Sequence, residues 1–86
     1  MSAESTVYRN PVPLGIDLTR AVEGMLSRYF SVLDKHGKDS PEFRAQERTY
    51  WLGLAAVDEE YAARGVNPGF YRKSAADLRA RAAKAA

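Results

Sequence analysis

The stretch Ser40–Gly65, SPEFRAQERTYWLGLAAVDEEYAARG, decides the fold. Ser40 offers a side-chain oxygen to cap a helix, and Pro41 suits the first helical position, where a missing N–H costs nothing. Glu42 adds negative charge to the first turn, where the helix dipole favours it. Gly65 follows Arg64 as a left-handed stop signal. The spacing therefore predicts a helix over 41–64, about 36 Å long at about 1.5 Å per residue. In a chain of 86 residues the other elements must lie along it.

Reading outward, HGKDS at 36–40 is a short connection with a helix stop at Gly37. Before it, Leu18, Val22, Met25, Leu26, Tyr29, Phe30 and Leu33 recur at helical spacing. This predicts a helix over 17–36 capped by Asp17. Ala21 and Val32 widen its apolar stripe, and so wide a stripe is expected to touch two neighbours. Short connections make antiparallel neighbours, so the two long helices form a hairpin. On the second helix Phe43, Tyr50, Trp51, Leu54, Val57 and Tyr61 are expected to face the first. Ala45, Leu52, Ala56 and Ala63 form a shallow opposite face, to be covered by the C-terminal helix or by a second copy.

After Gly65, VNPGFYRKS interrupts the pattern. Asn67-Pro68 or Ser74 with Asp77 can start a third helix, giving 68–85 or 74–85. Its apolar stripe is Tyr71, Ala75, Leu78, Ala82 and Ala85. At the other end, residues 1–16 read as an extended arm. Pro11 and Pro13 oppose helix, while Val7, Tyr8, Val12, Leu14 and Ile16 are apolar enough to lie over the helices. The class is thus all-α: an N-terminal arm, then one helical domain over 17–86. A small core without Cys gains burial by self-association, so dimerisation into a helical bundle is expected.

Charge is uneven. Residues 1–63 hold seven Lys/Arg against ten Asp/Glu, and residues 64–86 hold six against Asp77 alone. Arg72, Lys73, Arg79, Arg81 and Lys84 of the tail are the candidate contacts to nucleic acid, although no recognised binding motif surrounds them. No apolar run has the length of a membrane span, and the first residues do not resemble a signal peptide, so a cytoplasmic protein without a membrane partner is expected.

Chemistry finds few candidates. Glu47 and Asp58 fall inside the apolar arc on either side of Trp51, about 16 Å apart along the helix. They are either an ion-paired boundary of the core, with Arg28, Arg72 or Arg79 as partners, or the acidic groups of a ligand-binding or enzymatic site with Trp51. His36, the one histidine, suits the end of its helix better than a metal site, and no cofactor is implied. No nucleophile elbow or phosphate loop is present in the sequence. The Ala- and Arg-rich usage resembles that of many small actinobacterial or phage-borne helical proteins, in composition only. The reading is a non-catalytic interaction or regulatory module, a homodimer or a binder of another protein. Leu52, Ala56, Phe70 and Tyr71 are its expected contact residues.

Overall fold

The computed structural model describes residues 15–85. Three helices follow one another: α1, Ile16–His36; α2, Pro41–Ala63; and α3, Pro68–Lys84. The two long helices and the shorter third one are those the sequence predicts. Residues 1–14 of the expected arm lie outside the described residues; its last residue, Ile16, is helical.

The ends of the hairpin follow the sequence signals closely. The Phe43 amide donates to Ser40 Oγ at 3.0 Å, and the Ser40 hydroxyl donates in turn to the Gly37 carbonyl at 2.7 Å. Gly37 takes φ +85° and donates its N–H to the Leu33 carbonyl, closing α1. Ser40→Ala removes the cap and is expected to cost about 1 kcal/mol, measurable as a lower midpoint in urea.

Two helix starts differ from expectation. Asp17 does not cap α1. Gly15 holds that position at φ +90°, and its carbonyl accepts from the Thr19 amide. A Cβ at Gly15 would lie 2.7 Å from the Tyr61 hydroxyl, so the chain enters α1 pressed against Tyr61 and only glycine fits. At α3, Asn67 is left-handed (φ +39°) and makes no side-chain cap. The start at Pro68 prevails over Ser74 because its first turn closes through the Tyr71 amide to the Asn67 carbonyl.

Asp17, freed from capping, serves as an anchor. Arg64 donates to both of its carboxylate oxygens at 3.0 and 2.7 Å and to Glu60 at 2.9 Å, tying the start of α1 to the end of α2. Those hydrogen bonds hold the Asp17 carboxyl down to about 2, against an ordinary 3.8. The stabilisation is therefore present above pH 3.8 and is lost as pH falls through about 2. An NMR titration should find that low midpoint, and Arg64→Ala should return it to the usual carboxylate range.

The helices lie side by side in a single layer. Both α1 and α3 pack on α2, and no contact between α1 and α3 is found among the described residues. The chain measures 52 × 26 × 11 Å, and the thinnest dimension is about one helix diameter. Its radius of gyration of 15.8 Å exceeds the roughly 11–12 Å of a compact domain this size. Among the described residues α1 accordingly touches one neighbour, where its wide stripe suggests two, and Phe30 remains 52% exposed.

The core is correspondingly thin. Leu18, Phe43, Ala55, Val57, Ala62, Ala75 and Ala82 are buried, and no large side chain among the described residues is buried completely. Between α1 and α2 the Tyr29 ring packs on Phe43 and Tyr50 at 5.0 and 4.8 Å. Gly53 admits the Met25 thioether, whose sulfur would lie 2.8 Å from a Cβ there. Between α2 and α3 the contacts are small. Tyr61 stacks on Tyr71 at one level and Arg81 lies over Trp51 at another. That register sets the buried alanines Ala55 and Ala62 of α2 against Ala75 and Ala82 of α3. The C-terminal helix thus covers Ala55 and Ala62, one residue round from the predicted stripe, and leaves Ala45, Ala56 and Ala63 exposed.

Candidate functional site

A single layer has two broad sides, and the helical period of about 100° per residue sorts the side chains between them. The contacts of Met25 with Gly53, Tyr29 with Phe43, Arg79 with Glu59 and Arg81 with Trp51 fix the rotation of each helix. One side carries Leu26, Phe30 and Leu33 from α1, then Glu47, Leu54, Asp58 and Tyr61 from α2. Tyr71, Leu78 and Arg81 complete it from α3, with Trp51 at the α2–α3 seam. The other side carries Ala45, Leu52, Ala56 and Ala63 with the Arg79–Glu59 pair.

The aromatic side is the candidate site. Most of its side chains are only half-buried, and Phe30 and Phe70 are exposed at 52% and 61%. Its rings form two groups. Phe30, Tyr29, Tyr50 and Trp51 follow one another at 4.8–5.3 Å, while Tyr61, Tyr71 and Phe70 do so at 4.8–5.1 Å. Burial, with the charge of Glu47 and the neighbouring Tyr50, pushes the Tyr29 hydroxyl above its ordinary value.

The expected contact residues do not form one surface. Phe70 and Tyr71 belong to the aromatic side, whereas Leu52 and Ala56 face the opposite way. Glu47, Trp51 and Asp58 do share the aromatic side, but among the described residues neither carboxylate pairs with Arg28, Arg72 or Arg79 as expected. Arg79 donates to both oxygens of Glu59, at 2.9 and 2.7 Å, and lowers the Glu59 carboxyl. Arg28 and Arg72 turn toward the alanine side. Asp58 Oδ2 is buried with no hydrogen-bond partner among the described residues.

No family model, curated protein or solved structure matches the chain. The reading of the site rests on its own geometry.

That geometry offers little to nucleic acid. Lys73 pairs with Asp77 at 3.1 Å, Arg79 with Glu59, and Arg81 lies 4.9 Å from the Trp51 ring. Arg72 and Arg79 face one side and Arg81 the other, so the five cations form no common stripe. Among the described residues no three His, Asp or Glu side chains converge as metal ligands would. His36 stands 3.9 Å from Glu42 across the hairpin turn. Among the described residues no helix is long and apolar enough to cross a membrane. Sequence reasoning missed Phe30 as a surface group, because helical spacing alone cannot tell which part of a wide stripe finds a neighbour.

Proposed function

We propose that this chain is a non-catalytic protein–protein interaction module that self-associates, two copies closing their aromatic sides on one another. The single-layer fold carries the proposal. Stable domains bury their helices between at least two packed layers, and here the second layer has to come from outside α1–α3. The aromatic side is the apolar one, with Leu26, Phe30, Leu33 and Leu54 together along the α1–α2 half. A side of 52 × 26 Å is wide enough for the roughly 800 Å² per partner of a standard interface. Phe30 of α1 is a large exposed ring on that side, the residue type that anchors such contacts.

The test is the thermal midpoint as a function of protein concentration. Self-association makes the midpoint rise with concentration. Phe30→Glu puts a charge on the proposed contact without disturbing the buried residues, and should make the midpoint lower and independent of concentration. A parent midpoint that does not move over a hundredfold dilution overturns the proposal.

A further inference from the structure

We propose that the two copies close antiparallel, about a two-fold axis crossing α2 between Leu54 and Ala55, so that Arg81 of each copy meets Asp58 of the other. This rests on the self-association proposed above and adds its register. The first observation is the charge on the aromatic side. Glu47 and Asp58 of α2 and Arg81 of α3 stand there among leucines and aromatic rings, and none of the three makes an ion pair among the described residues. Asp58 is half-buried, and its Oδ2 has no hydrogen-bond donor. A second copy that covers this side has to compensate these charges, because an ion buried without a partner is strongly unfavourable.

The second observation is where Arg81 sits. Its guanidinium lies 4.9 Å from the centre of the Trp51 ring. Stacking occupies the face of the guanidinium and leaves its in-plane N–H groups to donate elsewhere. Trp51 and Asp58 are two turns apart, about 10 Å along α2. A two-fold axis lying across the helices midway between them exchanges the two levels and keeps α2 over α2. Arg81 of one copy then stands at the level of Asp58 of the second, and symmetry supplies the reverse pair. The sideways offset from the seam to α2 is about half of a roughly 8–10 Å interhelical spacing, within the reach of an arginine side chain. The same axis brings Glu47 to the level of Tyr61 and its stacked neighbour Tyr71, whose hydroxyls can donate to it.

The third is the consequence of pairing the other way. With the axis along the helices, α2 again lies over α2, but each residue faces its own counterpart. Asp58 then opposes Asp58 and Glu47 opposes Glu47, and like charges set together in a contact are strongly unfavourable. Area agrees with charge. The middle of α2, Pro41–Ala63, is Leu52, and the proposed axis passes within one turn of it. Antiparallel copies therefore overlap along nearly the whole side and keep the roughly 800 Å² per partner of a standard interface.

The chain lacks Cys, so Lys38→Cys in the hairpin turn gives one spin-label site per copy. Pulsed electron paramagnetic resonance then reads the distance between the two labels of a dimer. The start of α2 is about 20 Å from the proposed axis. Antiparallel copies should therefore hold the labels about 40 Å apart, whereas parallel copies would bring them within about 25 Å, roughly two helix layers. Arg81→Glu and Asp58→Arg, each checked for helicity by circular dichroism, should each raise the dimer dissociation constant by roughly tenfold or more. Their equimolar mixture should associate as tightly as the parent chain, because the two charges meet only between copies. The label distance decides the register even where a charge variant unfolds. A dimer with the short distance, or a folded Arg81→Glu that associates as the parent does, overturns this register and leaves self-association standing. The mass of one chain at every concentration in sedimentation equilibrium overturns both.

Discussion

Phe43→Ala is expected to leave most of the protein unfolded at room temperature. Among the described residues Phe43 is the one aromatic side chain that is buried, at 5% exposure, and its ring packs on Tyr29 where α2 begins. Truncating a buried Phe costs about 3–5 kcal/mol. A domain of this length has a total stability of roughly 4–13 kcal/mol, and a single helical layer belongs near the bottom of that range. Far-UV circular dichroism with urea titration measures the effect. Phe43→Leu, which keeps most of the volume, should retain the helices with a lowered midpoint. Full helicity and an unshifted midpoint in Phe43→Ala would mean that the α1–α2 hairpin is held elsewhere.

The second large effect is expected from adding volume. Ala55 has no exposed surface, and it lies in the close approach of α2 to α3 through Ala62, Ala75 and Ala82. Overpacking a core costs about 1–3 kcal/mol, and alanine neighbours have no rotamers with which to yield. Ala55→Leu should therefore push α3 away while leaving the α1–α2 hairpin folded. Two local probes follow that separation. The Glu59 carboxyl, now lowered by the Arg79 hydrogen bonds, should titrate higher. Trp51 emission should change as Arg81 leaves its ring. The neighbouring Ala56→Leu, on the exposed face, is the control and should do neither.

This pair of alanines also shows how far the sequence could be read. The hairpin was legible because its punctuation is chemical: Ser40-Pro41 begins α2, and Gly37 and Gly65 end helices in conformations that favour glycine. The face of α2 that receives α3 was not. Alpha-2 carries Ala, Leu or an aromatic ring around most of its circumference, and an alanine looks alike whether buried or solvated. Ala55 and Ala56 differ by about 100° of rotation, and only tertiary packing chooses between them. The Arg64–Asp17 anchor joins residues 47 apart in sequence, beyond the reach of any periodic pattern. Of the candidate site, Glu47, Trp51 and Asp58 were legible as anomalies on an apolar arc. Their placement on one side of a single layer required the positions of α1 and α3.

The proposed second layer is tested most directly by sedimentation equilibrium of the full chain, at micromolar to submillimolar concentration and at low and high salt, with and without duplex DNA. An apolar contact predicts a mass approaching twice that of the chain as concentration rises, little changed by salt and indifferent to DNA. The mass of one chain at every concentration, or a mass that grows only when DNA is added at low salt, would contradict it.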